Sequence, residues 1–208
     1  MTAGQAAADL SAAVRAARDG NEAAFRQLYR EVQPGLLRYL RGLVGGEDAE
    51  DLASETWLQI ARDLRTFRDD GPGGFRGWAA TIARHRALDH VRRMQRRPAP
   101  GLSMDALVDL ADRNDTEEQA ITLAATNATI ELIATLPRDQ AEAVLLRVVM
   151  GLDARAAAAV MGKRPGAVRT AVWRGLRKLG ERLDEPGDRP VAASGVTLAG
   201  ERAPRKTS

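Results

Sequence analysis

Between Leu136 and Leu183 two short helical patterns meet at Gly162-Lys163-Arg164-Pro165. The second carries Lys163, Arg164, Arg169, Arg174, Arg177, Lys178 and Arg182 against a single acid, Glu181. A short helix, a tight turn and an arginine-loaded helix place side chains in a DNA major groove. Val144, Leu145, Val148, Val149, Leu152, Ala156, Ala159, Val160 and Met161 are the expected core of this unit, with Val168, Val172, Leu176 and Leu179 as the inward stripe of its last helix. That leaves Arg169, Thr170, Trp173, Arg174 and Arg177 on other faces. Arginine can bond guanine O6 and N7 bidentately, and threonine can touch a thymine methyl or a phosphate. Lys163 and Arg164, at the turn, are placed to meet phosphates. The competing reading is a solvated basic helix in a plain bundle.

Charge is segregated along the rest of the chain. The 208 residues carry a net charge of only +3. Residues 76–97 nevertheless hold seven arginines and one acid, Asp89, while residues 47–55 hold five acids and no base. Residues 105–118 hold six acids and one arginine. Such blocks suggest separate partners for separate surfaces. Arginines along one helix can follow a phosphate backbone, each contact releasing counterions. Phe75 and Trp78 could stack on unpaired bases, although the place of Trp78 on the apolar stripe favours the core. The acids at Glu47, Asp48, Glu50, Asp51 and Glu55 lie in the first turns of their helix, where its dipole favours them. They also suit docking of a basic partner.

Strand-forming alternation is scarce and only 4% of residues are aromatic. Three-and-four spacing of apolar residues recurs instead, so the expected fold is all-α: two small helical domains joined by an acidic linker. Residues 1–20 are an Ala-rich lead-in, with room for one short helix. Asn21 can cap the next helix, whose apolar face is Phe25, Leu28, Tyr29, Val32, Leu36, Leu40 and Leu43. Pro34 should kink or break it, and Gly45-Gly46 should end it. Ala53, Trp57, Ile60 and Leu64 form the stripe of a third segment. A helix from about Phe75 to Arg97 follows a Gly-rich loop, with Trp78, Ile82 and Val91 inward. Together these make a first domain at 21–97. Residues 98–116 read as a linker. A second domain, 117–183, opens with Ile121, Ala124, Ala125, Ala128, Leu132 and Leu136 on one helix. Asp153 can cap a later one. Residues 184–208 read as a disordered tail.

No cysteine is present, which excludes disulfides, thiolate chemistry and Cys-based zinc sites and fits a reducing, cytoplasmic location. No apolar run is long enough to insert in a membrane. The two histidines, His85 and His90, are five apart, off the spacing of a helical metal pair, and no Gly-rich phosphate loop or Ser/His/Asp set exists. Nothing positive supports an enzyme, and no cofactor is expected.

In order, the segments FRQLYREVQPGLLRYL, GEDAEDLASETWLQ, FRGWAATIARHRALDHVRRMQRRP and LPRDQAEAVLLRVVMGLDARAAAAVMGKRPGAVRTAVWRGLRKL resemble an extracytoplasmic-function (group 4) sigma factor of the bacterial sigma-70 class. The likeness covers about Ala24 to Leu183. It implies a region 2 domain, a flexible linker and a region 4 domain. The helix with Glu47, Asp48, Glu50, Asp51, Leu52, Glu55 and Thr56 resembles the surface that docks the clamp helices of the largest subunit of core RNA polymerase. The element from Phe67 through Arg76, Arg84, His85, Arg86, Asp89, Arg92 and Arg93 resembles the one that captures the −10 promoter strand. Lys163, Arg164, Arg169, Thr170, Arg174 and Arg177 fall on the −35 reader. The family further implies contact with the polymerase flap and control by an anti-sigma factor. The chain departs from the family pattern at His85, where Asn is common, at Ser54, where Gln is common, and across Asp153–Ala159, which lacks the usual Glu-Glu-Ile. The main alternative is a stand-alone helix-turn-helix regulator whose first domain senses or dimerises. A third reading is an interaction module that never touches DNA.

Overall fold

The computed structural model describes residues 3–96 and 117–184, and these contain eight α-helices. The expected linker at 98–116 and the tail beyond residue 184 lie outside the described residues, as does the side chain of Ile121.

Helix α1 spans Ala3–Arg18 and sends Leu10, Ala13 and Val14 into the core. Helix α2, Glu22–Val44, begins on Asn21, whose Oδ1 accepts from the Ala24 backbone N–H at 3.0 Å. It runs through Pro34 without ending, so the expected break is absent. Its buried stripe is Leu28, Val32, Leu36, Tyr39 and Leu40. The expected Tyr29 is instead 43% exposed, leaning on the Trp57 ring at 4.9 Å. Gly45, at φ 92°, turns the chain directly into α3, Gly46–Asp63. A single 3-10 turn, Leu64–Thr66, follows.

Helix α4 spans Gly74–Arg96 and is buried along Phe75, Gly77, Ala79, Ala80, Ala83 and Ala87. The expected inward residues Trp78 and Ile82 pack only partly, and Val91 is half-exposed. Large residues mislead here because the inward face is mostly alanine and glycine, with Phe75 as its large side chain. A Cβ on Gly77 would lie 2.5 Å from the Pro72 carbonyl oxygen.

Helix α5 spans Glu117–Ala134, and its buried residues are Ile130 and Ile133, with Leu132 packed beside them and Leu136 just beyond the helix end. Ala124, Ala125 and Ala128, expected inside, are exposed. Helix α6, Arg138–Val144, continues into a π turn over Leu145–Val149, where the Met150 N–H bonds back to the Leu145 carbonyl at 3.0 Å. The extra residue in that turn shifts the face. Leu146 goes in and Val148, expected in the core, is 61% exposed. Helices α7, Ala154–Met161, and α8, Pro165–Asp184, complete the chain. Ala159 of α7 is exposed as well. In α8 the stripe is Val168, Val172, Gly175 and Leu179, and Leu176 faces out. Glycine at 175 gave no apolar signal, yet a Cβ there would meet Val144 at 2.9 Å.

The two helical units are not insulated from each other. Buried residues from Leu10 to Leu179 form one continuous hydrophobic cluster. The contact is close: a Cβ on Gly42 of α2 would lie 2.5 Å from Leu145, and one on Gly73 would lie 2.7 Å from the Ala156 Cβ of α7.

Candidate nucleic-acid and polymerase interfaces

The turn between α7 and α8 is built by its end residues. Asp153 accepts from the Ala156 N–H at 2.7 Å and so fixes the start of α7. Gly162 sits in the left-handed region at φ 64°, and the Lys163 N–H returns to the Ala158 carbonyl at 2.9 Å. That pairing closes α7 and aims α8 away from it. With Val168, Val172, Gly175 and Leu179 turned inward, Arg169, Thr170, Arg174 and Arg177 are all exposed on the outer side of α8. Trp173 is 60% exposed on the same side, with the Arg177 guanidinium 5.1 Å from its ring centre. Arg177 also pairs with Glu181 at 3.2 Å. The Thr170 hydroxyl donates to the Gly166 carbonyl and keeps its acceptor lone pairs outward. Arg164 is exposed, while Lys163 reaches Asp139 at 2.5 Å.

The acidic helix α3 shows a mixed face. Glu47 and Asp51 are exposed. Asp48 lies 3.1 Å from His90, Glu50 lies 3.0 Å from Arg41, and Glu55 lies 3.9 Å from Arg86. Such half-exposed pairs hold little energy and are easily exchanged for an outside cation. Two residues of the expected set lie inside the fold. Leu52 is 2% exposed and Thr56 is fully buried, its hydroxyl bonded to the Leu52 carbonyl at 2.7 Å. They hold α3 against the core.

Along α4 the arginines differ from those of α8. Arg76 lies 3.6 Å from Glu31, and Arg86 bonds Gln59 at 2.9 Å. Asp89 pairs with Arg92 at 3.2 Å on the open surface, and His85 and Arg93 are exposed. Phe67 also lies inside the fold. It is 8% exposed, stacked on Trp78 at 4.5 Å and edge-on to Phe75 at 5.9 Å. It braces the loop that leads into α4.

Arg84 is the exception with the largest consequence. Its Nε donates to Glu142 Oε1 at 2.5 Å, and the Tyr39 hydroxyl donates to the same oxygen at 3.2 Å. The Glu142 side chain is 4% exposed. Burial opposes the charge of Arg84, but the hydrogen bond and charge of Glu142 outweigh it and leave the guanidinium held more firmly protonated than usual. Burial first, and the Glu142 charge second, push the Tyr39 hydroxyl well above the ordinary tyrosine range. Neither Tyr39 nor Glu142 stands out in the sequence. A single Glu between alanines in a helix reads as solvated, and its partners lie 58 and 103 residues away.

Among the described residues no group of three or more His, Asp or Glu is placed to hold a metal, and no helix is long and apolar enough to cross a membrane.

The family model for sigma-70 region 2 matches residues 28–97, and that for sigma-70 region 4 matches residues 126–179. The extracytoplasmic-function (ECF) RNA polymerase sigma factor SigD of Mycobacterium bovis is 34% identical over 187 residues, covering 86% of each protein. The ECF sigma factor BldN of Streptomyces coelicolor is 33% identical over 174 residues, 83% of this chain but only 65% of BldN. Two solved structures share the fold. CnrH in complex with the cytosolic domain of CnrY has a TM-score of 0.58 at 24% identity, covering 83% of this chain and 95% of CnrH. The sigma factor RpoE with the anti-sigma factor NepR, from Bartonella quintana, has a TM-score of 0.59 at 23% identity, covering 78% and 98%.

Proposed function

The chain belongs to the extracytoplasmic-function sigma factors of the sigma-70 class, and from there we propose that it binds core RNA polymerase, reads −10 and −35 promoter elements and directs transcription initiation in the cytoplasm. Polymerase supplies the chemistry, and this chain supplies promoter choice and helps open the duplex. The acids of α3, Glu47, Asp48, Glu50, Asp51 and Glu55, dock the basic clamp helices. The loop and helix from Phe67 through Arg93 take the −10 strand. Arg169, Thr170, Arg174 and Arg177 of α8 read the −35 duplex, with Lys163 and Arg164 on its phosphates. An anti-sigma factor is a further partner in this reading, as NepR is for RpoE of Bartonella quintana, which shares the fold.

The observation that carries this reading is the separation of charge on rigid helices. One helix carries a row of carboxylates suited to a cationic surface, α8 offers exposed arginines to an anionic one, and α4 carries a further arginine row, part of it paired within the chain. A stand-alone regulator has use for α8 but none for α3. The test is capture of purified bacterial core polymerase, followed by run-off transcription on a pool of genomic promoters. Stable capture with new start sites is expected. Tight duplex binding by the protein alone, without polymerase capture, would instead establish the stand-alone regulator.

A further inference from the structure

The family model for region 2 begins at residue 28, so helix α1 precedes the stretch it matches. Leu10, Ala13 and Val14 seat α1 against α2, α4 and the 3-10 turn. Ser11, half-buried beside that stripe, reaches across to the loop that leads into α4. Its hydroxyl donates to Asp69 Oδ2 at 2.6 Å, the length of a charge-assisted bond. The other oxygen of the same carboxylate faces the start of α4, where a Cβ on Gly74 would lie 2.8 Å from Oδ1. A negative group is favoured at that end of a helix.

The loop is fixed at both ends and open between them. Phe67 is buried at its entry. At its exit the Gly74 N–H returns to the Gly71 carbonyl at 3.1 Å and the Gly77 N–H to the Gly73 carbonyl at 3.0 Å. Residues 68–73 between them are exposed. Gly71, Gly73 and Gly74 give this stretch a wide choice of shapes, and Gly73 and Gly74 take positive φ angles of 80° and 53°. A loop of that composition holds one shape only if a side chain ties it down. It also carries two acids, Asp69 and Asp70, and an acid repels a polyanion unless it is turned aside. The bond to Ser11 does both, drawing the Asp69 carboxylate back between α1 and α4. Both partners belong to the front unit, 58 residues apart.

We propose that Ser11 is a positioning residue for promoter selection: through Asp69 it holds the loop ahead of α4 in the shape that meets the −10 strand, so discrimination at −10 depends on α1. The bearing on promoter choice rests on the sigma-factor reading; the hold on the loop does not.

The test uses the full-length protein and two readouts. Amide hydrogen exchange of the free chain is followed over residues 67–76. Ser11→Ala should quicken exchange there and leave α2 and α3 as in the native chain. Ser11→Thr, which keeps the hydroxyl, should restore the native rate, and Ser11→Ala should add nothing once Asp69→Ala has been made. With core polymerase, run-off is then read on promoters randomised at −10 and, separately, at −35. Ser11→Ala should narrow the −10 preference by about three- to tenfold, the worth of one hydrogen bond, with Ser11→Thr close to native. Polymerase capture and the −35 preference should not move. Unchanged exchange over 67–76 in Ser11→Ala overturns the proposal. So does quickened exchange with a native −10 preference, which would make the bond a brace alone, and so does an equal loss at −35, which would be a general loosening. If the native protein captures no polymerase while the exchange results hold, the sigma-factor reading falls and the role in promoter choice with it, and the hold of Ser11 on the loop stands.

Discussion

The arginines of α8 and those of α4 make an instructive contrast. On α8 they stand on the outer side of a helix whose small inward stripe is already satisfied, and among the described residues only Arg177 has an acid beside it. On α4 three of them are held by acids from three other helices: Arg76 by Glu31, Arg86 by Glu55 and Arg84 by Glu142. One basic surface is presented ready for use, and the other is engaged with its own protein. The difference follows from position. Helix α8 is last in its unit and packs on one side, whereas the first half of α4 lies among α2, α3 and α7, so several of its arginines meet acids of neighbouring helices.

The contrast can be broken most severely at the seam between the halves. Leu145 is fully buried and contacts Gly42 across it. Leu145→Ala should cost about 2–5 kcal/mol. Because the core is continuous, Trp57 in the front half and Trp173 in the rear should report the loss at the same denaturant concentration. Next in size, Arg174→Ala should lower transcription that depends on a −35 element by about 1–3 kcal/mol, if its contact to a base is bidentate. Capture of core polymerase by that variant should be unchanged, and an equal fall in capture would refute the role given to α8.

Tyr39 sharpens the comparison through pH. Its hydroxyl is held well above the ordinary range, first by burial and then by Glu142, with Arg84 and Arg138 pulling the other way. The folded chain therefore keeps this proton more tightly than the unfolded one. Its stabilisation is complete below the ordinary tyrosine value of about 10 and is lost as pH rises beyond it, by about 1.4 kcal/mol per pH unit. Melting temperature between pH 9 and 11 should fall less steeply in Tyr39→Phe than in the native chain.

The helix caps give a smaller effect. Asn21→Ala at the start of α2 and Asp153→Ala at the start of α7 should each cost about 1 kcal/mol. In one cooperative unit both shift the same transition, whereas two independent halves would show two. Smallest in stability is His85→Asn. The side chain is exposed, so melting should move by less than about 0.5 kcal/mol. The preferred −10 sequence should change all the same, as run-off on a promoter pool would read.

What the residues revealed in advance was mostly local. The caps at Asn21 and Asp153, the glycine end of α7 and the outward arginines of α8 depend on neighbours a few positions away, and each appears where its spacing put it. The misses are of two kinds. Val148 and Leu146 exchange places because a π turn adds one residue to a helix that otherwise keeps its period. Gly175 and the alanines of α4 were passed over because closeness of packing, rather than size, decides what lies inside. The tie from Glu142 to Tyr39 and Arg84 was illegible for a third reason. Its partners come from another unit, and no periodicity relates residues that far apart.

The glycine-lined seam between the halves also sets a dose. Any ligand that needs the halves apart binds with an apparent affinity lowered by the fraction of molecules already open. A methyl group added at Gly42 would lie 2.5 Å from Leu145, and it strains the seam while leaving the outward arginines of α8 untouched. The concentration at which such a chain responds is thus written in residues that meet nothing but each other, and it can drift while the sequence that is read on DNA stays fixed.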